Sequence, residues 1–387
     1  MDDMTINVLH LKKSIGSDGA TESILNIYEH LDREKIRFDF LVYSSDDNRN
    51  VRRITDLGGK VHYIPIEKTK IKFLRVFNRA LELYRFLKEN PYNVLHIDTD
   101  DPYRALELLI GKLAGVKVRI IHAHGIRNAE NNKGVSTIKR IVQDICKKLI
   151  SRTATVFFAC SRSVAEWMFT RKVLESDRLK IIRNGIGVHN FAFNHKVRDK
   201  YRNLLGIQDK FVIGHVGRLV HVKNQEFLLE VFQEIYRQNP NSVLLIVGEG
   251  ELERALKEKA QNLGLEKSVI FLGSRSDVAE LMQAMDVFVL PSHYEGLGIV
   301  AIEAQAAGLK TICSNTVPQE TKVTNLIEYL PLELGAEGWS KTIIKYQEGY
   351  KRVDTSSQII KAGYDIKQIA KELERFYICR VKPYYNG

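Results

Sequence analysis

The sequence predicts an α/β protein built from two doubly wound parallel sheets. Short apolar runs rich in Val, Ile and Phe alternate with helical patterns, the runs form two series, and a polar stretch at 184–196 separates the series. The length of 387 residues also exceeds what one hydrophobic core usually supports. We therefore expect domains at 1–188 and 189–365, with a C-terminal helix within 366–387 that packs back on the first domain.

The expected strands follow the apolar runs in chain order. Those of the first series are Ile6–Leu11, Phe38–Tyr43, Val61–Ile66, Val94–Ile97, Arg119–His124, Val156–Cys160 and Leu179–Ile182. Those of the second are Phe211–Val216, Val243–Val247, Val269–Leu272, Val287–Leu290 and Lys310–Ser314. Ligands of such sheets bind where strands end and helices begin, so the loops after these strands are the first places to look for chemistry.

The composition is that of a globular protein, with 44% hydrophobic and 27% charged residues. The four cysteines lack CxxC pairing, which indicates a reducing compartment and disfavours a zinc site or a disulfide framework. Residues 1–7 do not resemble a secretory signal, and no run of about twenty apolar residues occurs. These features predict a cytoplasmic protein.

The formal net charge of +11 includes two basic runs, at 68–85 and 133–152, that interleave cations with apolar residues at helical spacing. Such helices can lie on an anionic membrane, which predicts peripheral contact with the inner face of the cell membrane. A solvated helix face is the alternative. No nucleic-acid-binding motif with interleaved aromatic residues is present, so no nucleic-acid partner is expected.

Two loops of the second series carry candidate ligand-binding residues. Arg218 and Lys223 lie between the strand Phe211–Val216 and a helix, where two cations and a helix amino terminus would form a diphosphate site. Cations that are merely solvated are the alternative there. The strand Val287–Leu290 leads into a second loop with Glu295, Gly296, Leu297, Gly298 and Glu303.

The spacing in this second loop suits an extended polar ligand. Glu295 precedes a helix that contains Glu303, so their backbones are expected about 12 Å apart. Gly296 and Gly298 let backbone N–H groups approach phosphate, while the two carboxylates accept hydrogen bonds from sugar and ribose hydroxyls. A helix cap and an exposed helical Glu are the simpler interpretation, but the flanking glycines at a strand end fit it poorly.

These motifs resemble those of retaining glycosyltransferases of family 4, which have the GT-B fold of two Rossmann-like domains facing across a cleft. The resemblance covers most of the chain and is carried by five segments: 184–186, 217–218, 223–224, 284–292 and 295–305. The sequences of residues 214–218 and 303–306 most resemble those of bacterial enzymes of exopolysaccharide or capsule synthesis.

The resemblance implies a function for each residue. Arg218 and Lys223 would hold the donor diphosphate, Glu295 the transferred sugar and Glu303 the ribose. The reaction would retain anomeric configuration without a metal or other cofactor, moving a hexose or N-acetylhexosamine from a nucleotide sugar to a saccharide or lipid-linked saccharide. UDP is the expected nucleotide, and GDP is the alternative.

In the first domain, His124 matches the family histidine that contacts the donor sugar. We favour it over His122, which we expect to point the other way along the strand. A histidine satisfied within the fold is the alternative. Gly19 follows the first strand where the family has adjacent glycines, and Asp18 occupies one of those places, which puts close backbone approach to phosphate in doubt.

Other functions compete with this interpretation. The pair Asp98 and Asp100 could hold a divalent metal, but it lies in the first series, away from the expected donor residues. Gly248 and Gly250 suggest dinucleotide binding but lack the third glycine of that fingerprint. A nucleotide-sugar epimerase or hydrolase, or a non-enzymatic carbohydrate- or nucleic-acid-binding protein, remains an alternative.

Overall fold

A computed structural model describes residues 5–16, 19–45, 48–64, 72–125 and 137–384. The chain divides into two compact units. The first comprises Met1–Gly185 and Asp365–Gly387, and the second comprises Ile186–Tyr364. The division after Gly185 falls within the polar stretch at 184–196, slightly before the expected boundary at 188.

The first unit is built on a parallel sheet of seven strands. Its strands, with a short separate pair formed by the second and fourth, are β1 (Ile6–Leu11), β2 (Ser14–Ile15), β3 (Ile36–Val42), β4 (Ser44–Ser45), β5 (Val61–Tyr63), β6 (Val94–Thr99), β7 (Val118–Ala123), β8 (Val156–Ala159) and β9 (Leu179–Ile181). The order across the main sheet is β5-β3-β1-β6-β7-β8-β9, so the winding direction reverses between β1 and β6.

Helices cover both faces of this sheet. The helices of the unit up to Gly185 are α1 (Gly19–His30), α2 (Asn48–Asp56), α3 (Lys72–Glu89), α4 (Ala105–Leu113), α5 (Thr137–Thr153), α6 (Arg162–Met168) and α7 (Arg171–Leu174). Buried residues of α3, α4, α5 and α6 share one core with the sheet, and α1 contributes to the core on the other face. Because both faces are covered, the strands are almost continuously apolar, which made them visible in the sequence.

The second unit repeats this plan with a six-stranded parallel sheet in the order β12-β11-β10-β13-β14-β15. Its strands are β10 (Phe211–Val216), β11 (Ser242–Val247), β12 (Val269–Phe271), β13 (Val287–Leu290), β14 (Lys310–Ser314) and β15 (Ile327–Leu330). Its helices are α8 (Val188–Phe191), α9 (His195–Leu205), α10 (Gln225–Gln238), α11 (Glu253–Asn262), α12 (Val278–Ala284), α13 (Ile299–Ala306), α14 (Gly335–Ile343) and α15 (Ser356–Lys361). The α/β prediction of two doubly wound parallel sheets is confirmed.

One strand of the second sheet was not predicted. β15 pairs with β14 at the sheet edge, where Glu328 is exposed between buried Ile327 and Leu330. The charged residue interrupts the apolar run that identified the other strands, so no run was recognised.

The C-terminal helix α16 (Ile366–Val381) belongs to the first unit. It packs on α1 and buries one stripe of residues against the sheet, including Ile369, Leu373 and Tyr377. Gly185 permits this arrangement, because a Cβ there would lie 2.8 Å from Ile366 Cα. This glycine of the 184–186 segment therefore has a packing role.

The two basic runs belong to the first unit. The start of the first run, 68–71, and Lys133 of the second lie outside the described residues, and most of the remainder lies on α3 and α5. No helix within the described part of the chain combines the length and apolarity needed to cross a membrane.

Candidate functional site

The winding of the second sheet reverses between β10 and β13. The chain adds β11 and β12 on one side of β10, and β13, β14 and β15 on the other. In open parallel sheets, ligands bind beside such a reversal at the carboxyl ends of the strands. The loop after β10 carries Arg218 and Lys223, and the loop after β13 carries Glu295, so these predicted residues lie at the favoured position.

Lys223 and Glu295 are in direct contact. Lys223 Nζ donates to Glu295 Oε1 at 2.6 Å, and Ser292 Oγ donates to the same oxygen at 2.6 Å. Both charged side chains are mostly buried, with exposed fractions of 17% and 10%. A lysine ammonium has three donors, so the pair leaves Lys223 two for a ligand. Glu295 Oε2 has no hydrogen bond to any described residue, and it is available to a hydroxyl group.

Two hydrogen bonds to backbone carbonyls hold the two loops together. His293 N donates to the Val222 carbonyl at 2.8 Å, and Asn224 Nδ2 donates to the Pro291 carbonyl at 3.2 Å. Asn224 has a left-handed φ of 56°, a conformation that asparagine tolerates better than most residues. The turn at Asn224 starts α10, so the same residue ends one loop and anchors the other.

A buried polar pair, His215 and Gln225, holds the loop after β10 in place. Burial lowers the pKa of His215 to about 4, so the imidazole is neutral near pH 7. Its Nδ1 donates to the Val289 carbonyl at 2.9 Å, and its Nε2 accepts from Gln225 Nε2 at 3.2 Å. Gln225 Nε2 also donates to the Arg218 carbonyl at 2.8 Å. Sequence reasoning missed this pair, for which the signal was a histidine within an apolar strand.

The Arg218 side chain is exposed, and it forms no ion pair with any residue that the structure describes. Its backbone is fixed from two sides, because Leu219 N donates to the Glu249 carbonyl at 2.9 Å while Gln225 holds the Arg218 carbonyl. A guanidinium on the same rigid loop as a lysine that retains two free donors is suited to binding a diphosphate.

Gly248 and Gly250 act as spacers beneath this loop. A Cβ at Gly248 would lie 2.1 Å from the Gly217 carbonyl oxygen, and one at Gly250 would lie 2.4 Å from the Leu219 carbonyl oxygen. Gly248 also has a φ of +133°. These glycines therefore allow two backbones to pass in contact, in agreement with the interpretation as tight turning rather than a dinucleotide fingerprint.

The loop after β13 leads into α13 through Gly296, Leu297 and Gly298. Gly298 is the residue before the helix and has a left-handed φ of 81°, which favours glycine. Leu297 is buried in the core, so only its backbone is suited to ligand contact. The loop therefore presents backbone groups at the amino terminus of α13, where N–H groups lack partners within the helix.

Glu303 lies in the second turn of α13 and is partly buried. Burial raises the pKa of Glu303 to about 7, and no cation among the described residues opposes this shift. The carboxyl makes no side-chain hydrogen bond within the described part of the chain. The structure thus places Glu303 on the helix that starts at the glycine loop, but it forms no direct contact between Glu303 and Glu295.

The first unit contains a buried cluster at its own reversal point, between β1 and β6. Asp98 Oδ2 accepts from His10 Nδ1 at 2.7 Å, and Asp98 Oδ1 accepts from His124 Nε2 at 2.8 Å. His96 Nε2 lies 3.2 Å from His122 Nδ1. The predicted residue His124 is thus found with three further histidines and a carboxylate that sequence reasoning did not group with it.

The expectation that His122 points away from His124 is wrong. The two residues are two positions apart, and the period of two along a strand places them on the same face. Their rings are 3.9 Å apart between centroids. Both belong to the buried side that α16 covers, where His96 Nδ1 lies 2.7 Å from the Tyr377 hydroxyl.

Known proteins share both units. Residues 18–185 match the family described as "Glycosyl transferase 4-like domain", and residues 197–329 match "Glycosyl transferases group 1". The chain is 32% identical over 386 residues to EpsF of Bacillus subtilis (strain 168), named as a glycosyltransferase, and the match covers 98% of each chain. This protein is a group 1 glycosyltransferase. The resemblance to that family is confirmed, and so is the expectation of a transferase enzyme.

Two further comparisons extend this result. The glycosyltransferase is 26% identical over 334 residues to UDP-Gal:alpha-D-GlcNAc-diphosphoundecaprenol alpha-1,3-galactosyltransferase of Escherichia coli, a match over 85% of this chain and 84% of that one. Its fold is similar to HepE of Anabaena, solved in complex with UDP-glucose, with a TM-score of 0.75 and 20% identity over 96% of this chain and 99% of that one. The expected GT-B fold class is thereby confirmed.

Some motif residues of the glycosyltransferase have structural roles. Asp286, in the segment 284–292, accepts from Arg198 at 2.5 Å, from Arg202 at 2.7 Å and from Val212 N at 2.8 Å. Gln305 accepts from Thr324 N at 2.9 Å and shares no contact with the loops of the candidate site. The segments that identified the family therefore combine site residues with residues that hold α9 and the segment between β14 and β15 in place.

Gly19, the predicted phosphate contact of the first unit, is the first residue of α1. A Cβ at this position would meet no atom of the described residues within 4 Å. Asp18, the departure from the family pattern, lies outside the described residues.

Two groups in the first unit have metal-ligand chemistry among the described residues: His10, His96 and Asp98, and Asp98, His122 and His124. The histidine nitrogens that contact Asp98 lie at hydrogen-bond distances of 2.7 and 2.8 Å. Ligands around a zinc ion are each about 2 Å from the metal and therefore about 3.3 Å from one another. An ion would have to push these partners apart, so the geometry favours a hydrogen-bonded cluster.

Proposed function

We propose that this glycosyltransferase moves a hexose or N-acetylhexosamine from a UDP-sugar to a saccharide or lipid-linked saccharide in cell-surface polysaccharide synthesis. The names of the relatives support the substrate class, since the Escherichia coli relative is named for UDP-Gal and a diphosphoundecaprenol acceptor. The HepE complex supports a UDP-sugar donor. A match to a "Capsular polysaccharide biosynthesis glycosyltransferase CapM" from Staphylococcus aureus supports the biosynthetic role.

The contact between Lys223 and Glu295 carries this proposal. It places a cation and a carboxylate side by side at the reversal point of the second sheet, and exposed Arg218 belongs to the same loop as Lys223. Arg218 and Lys223 would hold the diphosphate, and Glu295 would accept a hydrogen bond from a hydroxyl of the sugar attached to it. In a nucleotide sugar, the diphosphate is attached directly to the sugar, so its phosphates and a sugar hydroxyl lie close together.

The remaining donor contacts follow from α13 and the first unit. Backbone N–H groups of Gly296, Leu297 and Gly298 would approach the phosphates, and Glu303 would bind the ribose hydroxyls. Gly19 would let the start of α1 approach the donor closely, and His124 would contact the transferred sugar.

The chemistry requires stabilisation of a departing nucleoside diphosphate. The bond between the anomeric carbon and the phosphate oxygen breaks, and the negative charge that develops on the diphosphate is offset by Arg218 and Lys223. The acceptor hydroxyl forms the new bond on the same face of the sugar and gives its proton to the departing phosphate, which retains the anomeric configuration. These two cations supply the charge that a divalent metal would otherwise provide, so we propose a metal-independent reaction.

We also propose that the enzyme contacts the inner face of the cell membrane, where lipid-linked acceptors lie. The helix α5 exposes four apolar residues at helical spacing, which we call the α5 apolar face: Ile138, Ile141, Val142 and Ile145. The same helix carries exposed Lys148 and Arg152 further along. An apolar stripe continued by cations is complementary to a bilayer with anionic headgroups.

Calorimetric titration tests the donor assignment. The protein is titrated with UDP, GDP, ADP and their sugar conjugates, with and without EDTA, and we expect tight binding of a uridine nucleotide that EDTA does not weaken. Arg218→Ala and Lys223→Ala should each weaken UDP binding about 10- to 100-fold, because each removes a charge-assisted hydrogen bond to phosphate. Lys267→Ala, at the opposite edge of the sheet, is the matched control and should bind UDP normally.

Each result distinguishes the proposal from its rivals. Unchanged UDP affinity in both variants would refute the diphosphate assignment, and loss of binding with EDTA would refute metal independence. Donor consumption that no saccharide or lipid-linked saccharide acceptor accelerates would identify a hydrolase or epimerase instead. His124→Ala should lower turnover while UDP affinity stays unchanged.

A further inference from the structure

Asp98 is a buried carboxylate whose hydrogen-bond partners are histidines. Its side chain is 0% exposed, and those of His10 and His124 are 2% and 5% exposed. His10 comes from β1 and Asp98 from β6, while His124 directly follows β7. Three adjacent parts of the sheet therefore converge on this carboxylate.

The protonation states of the cluster follow from its contacts. Burial acts to raise the pKa of Asp98, but the adjacent His10, together with hydrogen bonds from His10 and His124, holds it well below its usual range. An ionised carboxylate accepts hydrogen bonds and cannot donate them. The proton in the contact with His124 therefore belongs to Nε2 of the imidazole.

His124 Nδ1 is the ring atom that remains for another partner. It is buried and has no hydrogen-bond partner among the described residues, as is also true of Nε2 in His10 and in His122. The three residues differ in position, because His10 and His122 lie within strands whereas His124 follows the end of β7. Ligands of parallel sheets approach at this edge, so His124 is placed where an unpaired nitrogen can meet a substrate.

We infer that Asp98 is a positioning residue that fixes His124 as the Nε2–H tautomer and leaves Nδ1 to accept a hydrogen bond from a hydroxyl of the donor sugar. The inference rests on the proposed role of His124. A carboxylate that holds one imidazole nitrogen determines both the ring orientation and the chemistry of the other nitrogen. Asp98 contacts no reacting atom in this arrangement and acts through His124.

The rest of the cluster provides a matched control. Burial lowers the pKa of His96 and of His122 well below the usual value, so both rings are neutral. Tyr377 contacts this pair through a hydrogen bond with His96 and forms no hydrogen bond with Asp98 or His124. Tyr377→Phe therefore perturbs the same buried cluster and leaves the bond between Asp98 and His124 in place.

The direct test is the tautomer of His124, read from imidazole ¹⁵N chemical shifts of histidine-labelled protein and assigned by comparison with His124→Gln. We expect Nε2–H in the unmodified enzyme and in Tyr377→Phe. An Nδ1–H tautomer in the unmodified enzyme would overturn the inference without any variant of Asp98 being needed.

Turnover supplies the second measurement, as the rate of UDP release from UDP-glucose with water as acceptor. Asp98→Asn should lower kcat about tenfold or more, because the amide no longer fixes the tautomer, while the Kd for UDP stays within about twofold. Tyr377→Phe should leave both kcat and the Kd for UDP unchanged. Asp98→Asn combined with His124→Gln should be no slower than His124→Gln alone, because residues that act through one another are not additive.

The outcomes separate the inference from the function on which it rests. If His124→Gln leaves turnover unchanged, the proposed role of His124 fails, whatever Asp98 does. If His124→Gln lowers turnover and a folded Asp98→Asn does not, only the inference fails. If Asp98→Asn does not fold, Asp98→Glu replaces it, and a double variant slower than His124→Gln would assign Asp98 a separate role.

Discussion

Lys223 Nζ lies 2.6 Å from Glu295 Oε1, although 72 residues separate them in the chain. The pair joins the loops after β10 and β13, which are adjacent strands at the reversal of the second sheet. The resemblance assigned the two residues to different parts of the donor. Their contact means that a change in either residue alters the electrostatics of the other, so their single variants must be interpreted together.

The ion pair predicts a specific pattern in a double-mutant cycle. Lys223→Ala leaves a buried carboxylate with Ser292 as its hydrogen-bond donor among the described residues, and we expect a loss of about 2 to 4 kcal/mol in the free energy of unfolding. Adding Glu295→Gln removes the unpaired charge and should restore most of this loss. UDP binding should stay weak in the double variant, since the phosphate contact is still absent.

Urea denaturation and calorimetry measure the two effects separately. Glu348→Gln, an exposed glutamate of the same unit with no ion pair among the described residues, controls for the substitution itself. Equal stability of Lys223→Ala and the double variant would show that the pair is not coupled. Normal UDP binding by the double variant would remove Lys223 from the phosphate site.

The close contact between Gly248 and the Gly217 carbonyl predicts that a substitution outside the candidate site weakens UDP binding. Gly248→Ala places a methyl group 2.1 Å from the Gly217 carbonyl oxygen and must displace the backbone next to Arg218. We expect UDP affinity to fall about tenfold or more, although Gly248 is not assigned to the ligand. The measurement is the Kd for UDP by calorimetry.

Gly264→Ala is the matched control for this change. Gly264 has a φ of +73°, so alanine is strained there as well, but a Cβ would meet nothing within 4 Å. The control should be destabilised and should bind UDP with unchanged affinity. If both variants lose affinity equally, general strain explains the result and the spacer role of Gly248 is refuted.

The buried carboxyl of Glu303 predicts a pH-dependent stability. Its pKa is raised from 4.5 to about 7 in the folded protein, so the folded state binds the proton more tightly than the unfolded state. The free energy of unfolding therefore falls as the pH rises from about 4.5 to about 7, by about 1 to 2 kcal/mol for a partly buried group. Glu303→Gln should match the unmodified protein at about pH 4, below the unfolded pKa, and exceed its Tm at about pH 8.

Donor binding should favour the ionised carboxylate of Glu303 over the protonated form, because the ribose hydroxyls donate hydrogen bonds to the carboxylate. UDP binding at pH 6.5 should then release a proton from Glu303, seen as a calorimetric heat that depends on the ionisation enthalpy of the buffer. Subtracting the value for Glu303→Gln removes the contribution of the phosphate itself. Equal proton release by both proteins would exclude contact between Glu303 and the ribose.

The strands could be predicted because the helices bury both faces of each sheet and make the strands continuously apolar. β15 could not, since an edge strand tolerates the exposed Glu328. Arg218, Lys223 and Glu295 were visible because a parallel sheet puts strand-end loops at one edge. Their pairing was not, because it depends on hydrogen bonds between loops, such as that from His293 N to the Val222 carbonyl.

The histidine cluster shows a second limit. His10, Asp98 and His124 become neighbours only when β1, β6 and β7 are ordered side by side, and local sequence does not specify that order. The alternation of side chains along a strand is sufficient to place His122 on the same face as His124. The expectation that His122 points the other way applied this alternation incorrectly. The buried pair of His215 and Gln225 likewise depends on where α10 begins relative to β10.

The α5 apolar face predicts binding to anionic vesicles. Ile138, Ile141 and Ile145 are 74%, 53% and 58% exposed. These side chains can therefore insert into a bilayer without a rearrangement of the protein. We expect the protein to sediment with vesicles that contain phosphatidylglycerol, less so at high salt, and not with pure phosphatidylcholine. Replacing the three isoleucines by serine should weaken binding about 100-fold or more, at roughly 1 kcal/mol or more for each side chain.

The control removes an equal number of exposed apolar side chains from the second unit: Leu204→Ser, Leu334→Ser and Val353→Ser, which are 69%, 49% and 48% exposed. This variant should bind vesicles as the unmodified protein does. Lys148→Gln with Arg152→Gln should reduce the dependence on phosphatidylglycerol while the isoleucines remain. Equal binding by the two triple variants would show that α5 does not form the contact, and no binding by the unmodified protein would refute membrane contact altogether.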